Sequence, residues 1–254
     1  MPEAAKAIDI RDLVKRYRGL PNVGRSLKGA VIGRLTRRYA AHEAPGALRG
    51  VSLTVAPGEA VAVVGPNGSG KTTLLGVMSG VLVPTSGEVQ TRGRICVLLE
   101  AAVAFHPDLT GRENVILQGM ILGMRRQEVL SQLDDIVAFA QAEAYLEQAV
   151  RTLSLGQRAR LGFSVAAHLS PDIFLIDEVL AVVDEEFHQA CYQRLRELRE
   201  QGCAVMFVSH VMDQVRAVCE RAILLDEGRI IADGATDEVI RQYELMAAEH
   251  RLHH

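Results

Sequence analysis

The sequence has no long apolar run and no leader-like beginning. Its longest stretch without Asp, Glu, Lys or Arg covers 16 residues, from Thr72 to Gly87, and contains glycines and a proline. A membrane-spanning helix needs about 20 consecutive apolar residues. The first 11 residues carry two charges of each sign and no apolar core, unlike a secretory signal. We therefore expect a cytoplasmic chain that does not cross a bilayer.

An excess of basic charge and a paired-cysteine pattern are also lacking. The 254 residues include 28 Lys and Arg against 31 Asp and Glu, a net charge of −3, which argues against a general nucleic-acid binder. Hydrophobic residues make up 48% and charged residues 23%, as in ordinary globular domains. No Cys-x-x-Cys pair occurs, so reduced and mostly buried thiols are predicted. The four cysteines are Cys96, Cys191, Cys203 and Cys219.

One segment departs from the overall charge balance. Eight Lys and Arg and no acid lie between Leu13 and His42, which predicts a surface that meets an anionic partner. Leu27, Val31, Leu35 and Tyr39 recur every four residues within it, and this spacing indicates a short basic amphipathic helix at an interface. A solvated loop whose charges serve solubility is the alternative.

Short apolar strands alternate with helical segments along most of the chain. Apolar runs with β-branched residues, bounded by turns, predict strands at Val51–Val55, Ala60–Val64, Ile173–Ile176 and Ala204–Val208. The segment from Thr110 to Glu113 has the spacing of a helix-capping box. This alternation predicts an α/β fold with a parallel sheet.

A glycine-rich loop follows the strand at Ala60–Val64 and precedes a helix. It reads GPNGSGKT and matches G-x-x-x-x-G-K-[ST] in the structural context that this phosphate-binding motif requires. The glycines let backbone N–H groups point at phosphate oxygens, Lys71 supplies catalytic charge at the β and γ phosphates, and Thr72 offers a hydroxyl to Mg²⁺. The predicted ATP contacts come from Gly65, Pro66, Asn67, Gly68, Ser69, Gly70, Lys71, Thr72 and Thr73.

Two acids follow the buried strand at Ile173–Ile176. Asp177 lies at the carboxyl end of the strand, where α/β sheets bind ligands, and is predicted to hold Mg²⁺ through water. Glu178, one residue further, is predicted to act as the general base or to orient the attacking water. With the phosphate loop, these acids predict a P-loop NTPase that uses ATP and Mg²⁺.

The segment Leu153–Gln157, which reads LSLGQ, separates the branches of that superfamily. It resembles the L-S-G-G-Q signature of ABC ATPases. The resemblance implies a nucleotide-binding domain with a RecA-like core, an antiparallel β subdomain and a helical subdomain. It also implies that Asp184 lies in a D-loop, that His210 is the catalytic switch histidine, and that Tyr17 stacks on adenine.

In ABC ATPases the signature of one subunit closes over the ATP held by the phosphate loop of another. The resemblance therefore implies a head-to-tail homodimer on ATP, with Ser154, Gly156 and Gln157 at the nucleotide. The N-terminus of the helix that starts there is a favourable place for an anion. Leu155 replaces the first glycine of the usual motif, a difference expected to weaken closure or alter the backbone geometry.

Three further stretches resemble the ATP-binding subunits of bacterial polysaccharide exporters. They cover 93–100 with 105–114, then 163–168, then 177–187. This resemblance implies a peripheral ATPase on the cytoplasmic face of the inner membrane. It would bind a separate permease and drive export of lipid-linked O-antigen, galactan, capsule or teichoic acid. An ABC transporter of different cargo and a non-transport ABC ATPase are the alternatives.

Two features are specific to this resemblance. Glu100 falls where most ABC ATPases carry glutamine, and it is predicted either to bind Mg²⁺ or to contact the permease. The basic insert at 18–45 looks like a segment that these exporters place between their first strands, so we expect it near the lipid-linked substrate or anionic lipid.

We expect a single domain over 1–254, with a helical subdomain at about 101–165 and a C-terminal helix at about 236–250.

Overall fold

The computed structural model of the chain describes residues 6–17, 46–99, 105–177 and 183–252. The basic insert at 18–45 lies outside the described residues, and so do Glu100 and Glu178. Within the described ranges, no helix combines the length and apolar character needed to span a bilayer. All four cysteines are free and buried, which confirms the prediction of buried thiols.

A mixed six-stranded sheet forms the centre of the described fold. In order across the sheet, its strands are β5 (Ile95–Leu99), β6 (Ile173–Asp177), β7 (Ala204–Val208), β3 (Ala60–Val64), β8 (Arg221–Asp226) and β9 (Arg229–Ala235). Neighbouring strands are parallel, except that β8 and β9 are antiparallel. Strands β3, β6 and β7 are buried along their whole length, as expected where both faces of a parallel sheet are covered. The predicted α/β fold is confirmed.

A smaller antiparallel sheet covers one face of the central sheet. Its strand order is β2 (Leu48–Val55), β1 (Ile8–Lys15) and β4 (Ser86–Thr91). Val61 and Val63 of β3 point into the core that this sheet shares with helix α1 (Lys71–Met78). Because successive side chains of a strand point to opposite faces, the residues between them face the other core.

The remaining helices pack on the opposite side of the central sheet. They are α2 (Gly111–Ile121), α3 (Arg126–Ser131), α4 (Leu133–Ala140), α5 (Leu155–Ala167), α6 (Glu185–Glu200), α7 (Met212–Val218) and α8 (Thr236–Leu252). Phe163 of α5 lies at the centre of an aromatic cluster, 6.1 Å between ring centroids from both Phe174 of β6 and Phe187 of α6. This cluster fixes α5 and α6 against the strand that carries Asp177.

A side-chain cap sets the start of α2. The Thr110 hydroxyl accepts a hydrogen bond from the Glu113 backbone N–H at 3.2 Å, and the Glu113 carboxylate accepts one from the Thr110 N–H at 2.9 Å. These reciprocal bonds satisfy two backbone donors at the helix start. The predicted capping box is confirmed.

The register of three central strands brings their carboxyl ends together. Val208 of β7 pairs with Val63 of β3 on one side and with Asp177 of β6 on the other. The segments that follow these strands therefore meet at one edge of the sheet. In α/β proteins this edge is where ligands bind.

Candidate nucleotide site

The glycine-rich loop connects β3 to α1 at that edge. Gly65, Gly68 and Gly70 all have positive φ angles, of 147°, 81° and 110°. A Cβ atom on Gly65 would lie 2.0 Å from the Leu225 carbonyl oxygen, and one on Gly70 would lie 2.5 Å from the Ala47 carbonyl oxygen. The loop thus needs glycine both for its conformation and for the close approach of neighbouring backbone.

The backbone of the loop is also anchored by the turn that follows the neighbouring strand β8. The Gly228 N–H, in the turn between β8 and β9, donates to the Ser69 carbonyl at 2.9 Å. The Gly70 carbonyl accepts from the Leu74 N–H at 2.8 Å and so begins the helical hydrogen bonding of α1. Asn67 and Gly68 at the loop tip are exposed. The loop backbone is therefore fixed by hydrogen bonds while its tip is accessible to solvent, a geometry suited to a bound anion.

Lys71 places a positive charge within this loop. Its Nζ atom donates to the carbonyl oxygens of Gly65 at 2.8 Å and Pro66 at 3.0 Å. The ammonium group thus lies across the loop at the N-terminus of α1. Phosphate oxygens bound there would face both the helix N-terminus and this ammonium group.

Thr72 and Asp177 bring two hard oxygen donors together. The Thr72 hydroxyl donates to the Asp177 carboxylate at 3.1 Å, and Asp177 is only 8% exposed at the end of β6. A hydroxyl and a carboxylate suit Mg²⁺, which usually takes one or two protein ligands together with substrate phosphates and water. No cluster of three His, Cys, Asp or Glu side chains that could hold a metal occurs among the described residues. The donor set therefore fits a metal that arrives with a nucleotide.

Tyr17 joins this group from the small sheet. Its hydroxyl lies 3.2 Å from the Thr73 Oγ1 atom, and the residue is 46% exposed. Lys15 Nζ lies 5.4 Å from the centre of the ring, within the range of a cation–π contact. The end of β1 thus brings an accessible aromatic side chain to the first turn of α1.

His210 follows β7, the strand between those that carry the phosphate loop and Asp177. The histidine is exposed, whereas Ser209 beside it is buried. Since β7 ends in register with both neighbours, His210 lies on the same edge of the sheet as the loop. The three strand ends thus place Lys71, Thr72, Asp177 and His210 at one edge of the sheet, and within this set the Thr72 hydroxyl bonds directly to Asp177.

The LSLGQ segment forms a separate local structure at the start of α5. Ser154 and Gln157 make a capping box, with hydrogen bonds of 3.2 Å and 2.8 Å between their side chains and backbone amides. Leu155 is 54% exposed, and Gly156 follows it in the first helical turn. In the described structure, none of the hydrogen bonds of this segment reaches the phosphate loop.

Asp184 caps α6 and is held by Arg160, a residue that the sequence analysis missed. One Asp184 carboxylate oxygen accepts from the Phe187 N–H at 3.0 Å, and the other pairs with Arg160. The Phe187 amide first, and then Arg160, hold the pKa of Asp184 below its usual value. Arg160 lies three residues beyond Gln157 on α5, so it links the LSLGQ helix directly to Asp184.

Comparison with protein families gives one match over more than half of the chain. The profile described as ABC transporter matches residues 48–181. This range contains the phosphate loop, the LSLGQ segment and Asp177. The matched range thus includes these elements of the site.

Named relatives are similar over a larger part of the chain. The O-antigen export system ATP-binding protein RfbB of Myxococcus xanthus is 39% identical over 96% of this chain and 56% of that protein. The protein of the same name from Klebsiella pneumoniae is 42% identical over 78% of this chain and 80% of that protein. The teichoic acids export ATP-binding protein TagH of Enterococcus faecalis is 39% identical over 82% of this chain and 46% of that protein. The chain thus spans about half the length of two of these relatives.

Solved structures share the fold. The ATP-binding subunit of an ABC transporter superposes with a TM-score of 0.75 at 22% identity, over 94% of each chain. A dimeric ATP-binding cassette in a post-hydrolysis state, bound to ADP and Pi, gives a TM-score of 0.72 at 25% identity, over 90% of this chain and 98% of that one. The profile match over more than half of the chain, with the Klebsiella pneumoniae relative, shows that the chain belongs to the ABC transporter family.

Proposed function

We propose that this chain is the ATP-hydrolysing subunit of an exporter of lipid-linked polysaccharide. The observation that carries the proposal is the convergence of Lys71, Thr72 and Asp177 at one sheet edge, with Thr72 bonded to Asp177 at 3.1 Å. This arrangement fits the β and γ phosphates of MgATP. The names of relatives at 39–42% identity support the cargo class.

In the proposed reaction, the loop amides and Lys71 bind the β and γ phosphates. Thr72 would hold Mg²⁺ directly and Asp177 would hold it through water, and the ion would supply positive charge at the phosphates. Glu178, the next residue after Asp177, accepts the proton of the attacking water. His210, on the adjacent strand end, donates a hydrogen bond to the γ phosphate, and Tyr17 stacks on adenine.

We propose further that two copies close head to tail over ATP. Ser154 and Leu155 at the start of α5 are exposed. The capping box engages the Gln157 N–H, and the N–H groups of Leu155 and Gly156 suit an anion. Ser154, Gly156 and Gln157 of one copy would then face the ATP bound to the loop of the other, near Asp184. The dimeric solved cassette supports this arrangement.

The permease, the membrane and the cargo complete the proposal. We place the chain at the cytoplasmic face of the inner membrane, bound to a separate permease. The basic insert at 18–45 lies close to the lipid-linked substrate or the surrounding anionic lipids in this proposal. Each basic residue near such a surface contributes roughly 1 kcal/mol of attraction.

Two substitutions test the reaction. Lys71→Ala should abolish ATP binding, because the charge at the β and γ phosphates is lost. Glu178→Gln should bind ATP normally and accumulate as an ATP-bound dimer in size-exclusion chromatography, with hydrolysis nearly absent. Normal turnover of the Glu178 variant would contradict its role as the base.

Glu100 has two proposed roles that one measurement separates. If Glu100 is a Mg²⁺ ligand, Glu100→Gln should raise the Mg²⁺ concentration needed for half-maximal hydrolysis in the isolated chain. If it is a contact to the permease, the isolated chain should be unchanged and only transport-coupled activity should fall.

Copurification tests the cargo. The chain would be purified from its native membranes in gentle detergent, and its partner and bound lipids identified by mass spectrometry. A small multi-span permease with a polyprenyl-linked glycan supports the proposal. A solute importer, or a chain found with nucleic acid or ribosomes, contradicts it.

Charge reversal tests the basic insert. Replacing Arg34, Arg37 and Arg38 with Glu should reduce polysaccharide export while leaving basal ATP hydrolysis nearly intact. Equal loss of both activities would show that these residues have no specific role in export.

A further inference from the structure

A partly buried polar contact joins helices α6 and α7. His188 lies on α6 and Gln214 on α7, and the Gln214 Nε2 atom is 3.4 Å from the His188 Nε2 atom. The side chain of His188 is 13% exposed, and Gln214 is 7% exposed. Polar groups at this depth cost free energy unless their hydrogen bonds are satisfied, so each member of such a contact depends on the others.

The contact continues to the turn that carries His210. Ser209 Oγ donates to Gln214 Oε1 at 3.0 Å and accepts from the Val211 N–H at 3.1 Å. Ser209 and Val211 are the two neighbours of His210 in the chain. Gln214 therefore holds the serine that closes this turn.

In the other direction, the backbone of α6 joins His188 to Asp184. The His188 backbone N–H donates to the Asp184 carbonyl at 3.0 Å in a regular helical hydrogen bond, and His188 Nδ1 lies 3.5 Å from a Glu185 carboxylate oxygen. When Nε2 accepts from Gln214, the ring proton lies on Nδ1, the nitrogen that faces Glu185. One side-chain pair thus connects the start of α6 with the His210 turn.

We propose that His188 and Gln214 are positioning residues for ATP hydrolysis, which hold the His210 turn at a fixed distance from Asp184. This inference rests on the roles proposed above for His210 and Asp184. Loosening the pair should displace groups at the γ phosphate without altering the phosphate loop or the adenine contact. The expected consequence is a lower kcat at a nearly constant KM for ATP.

A packing role for His188 makes a different prediction. Its ring is stacked on Tyr192, with 6.0 Å between the centroids and 4° between the planes, so any substitution also removes that contact. Replacing His188 with Gln or with Asn separates the positioning role from the packing role. The Gln amide oxygen reaches the place of Nε2 and can accept from Gln214, whereas Asn reaches only the place of Nδ1. Both variants lose the stacked ring equally.

The experiment measures steady-state ATP hydrolysis by the full chain and its variants. His188→Asn and Gln214→Met should each lower kcat roughly five- to tenfold, the size expected for loss of one hydrogen bond, with KM for ATP within about twofold. His188→Gln should retain at least half of the wild-type kcat. The double variant His188→Asn/Gln214→Met should be no slower than the slower single variant, since both break the same contact.

Several results would overturn the positioning role. Equal impairment by Gln and Asn at position 188 would indicate packing alone, as would losses that multiply in the double variant. A normal kcat for a folded Gln214→Met variant, checked by its thermal melt, would also overturn it. His210→Ala serves as the reference: its normal turnover would refute the proposed role of His210. An inactive His210→Ala beside a fully active Gln214→Met would refute only the positioning pair.

Discussion

Arg160 is expected to stabilise the domain as well as hold Asp184, and Arg160→Met tests this. The guanidinium donates to Gln141 Oε1 at 2.6 Å and lies 5.0 Å from the centre of the buried Phe187 ring. Its side chain is 14% exposed, whereas that of Asp184 is 57% exposed. Methionine retains much of the buried stem but none of the polar contacts.

The size of the effect follows from the exposure of each partner. Gln141 is exposed, so water can replace the lost donor and the hydrogen bond contributes about 1 kcal/mol. The contact with Phe187 contributes roughly 1 kcal/mol more. The ion pair with Asp184 adds little, because the Asp184 carboxylate is mostly in water. A loss of about 2 kcal/mol predicts a fall in Tm of about 4 to 8 °C for a domain of this length.

Thermal unfolding followed by circular dichroism measures this change, with Arg158→Met as the matched control. Arg158 lies on the same helix, but its Nε atom is buried without a hydrogen-bond partner, so its replacement should leave Tm unchanged or slightly higher. The Arg160→Met deficit should persist in 0.5 M NaCl, since the Gln141 amide carries no charge to be screened and the Phe187 ring is buried. Equal losses in both variants, or a deficit that disappears in salt, would refute the reasoning.

Three further predictions concern other parts of the molecule. Gly65→Ala should lose ATP binding, measured by calorimetry, because its Cβ would lie 2.0 Å from the Leu225 carbonyl oxygen. Burial lowers the pKa of His168 from its ordinary 6.5. As the pH falls, the unfolded chain therefore binds a proton at this residue before the folded chain does. The free energy of unfolding should thus fall as the pH drops below about 6.5, and it should fall less in His168→Gln. Burial raises the pKa of Cys96 and of Cys203 to about 12, so a thiol reagent at pH 8 should label the cysteines only after unfolding.

The sequence predicted those parts of the site that are contiguous in the chain. The phosphate loop, its strand and its helix are adjacent, and each has a pattern that its chemistry requires, so their positions followed from residues 60–78 alone. Family membership and the ABC-type ATPase class were confirmed. Asp177 and His210 could be predicted at the same sheet edge as the loop because neighbouring parallel strands end at a common edge, and Asp177 does contact Thr72 there.

The contacts that join separate segments could not be predicted in the same way. Arg160 reaches Asp184 across 24 positions, and nothing in the spacing of the two residues distinguishes this pair from other charges on the surfaces of helices. The pairing of His188 with Gln214 depends on how α6 lies against α7, which a hydrophobic pattern leaves open. The capping box at Thr110, in contrast, could be predicted from the sequence because its two partners are three residues apart.

The backbone anchoring of the phosphate loop has a consequence for mutational tolerance. The Gly228 amide holds the loop through its hydrogen bond to the Ser69 carbonyl, and the carbonyl oxygens of Ala47 and Leu225 lie where a Cβ atom on Gly70 or Gly65 would be. These contacts are made by backbone atoms, so a substitution at Ala47 leaves its carbonyl in place, whereas the buried Leu225 also needs an apolar side chain for the core. A one-residue deletion in the turn between β8 and β9 would instead displace the Gly228 amide itself. This turn should therefore be intolerant of any change in length.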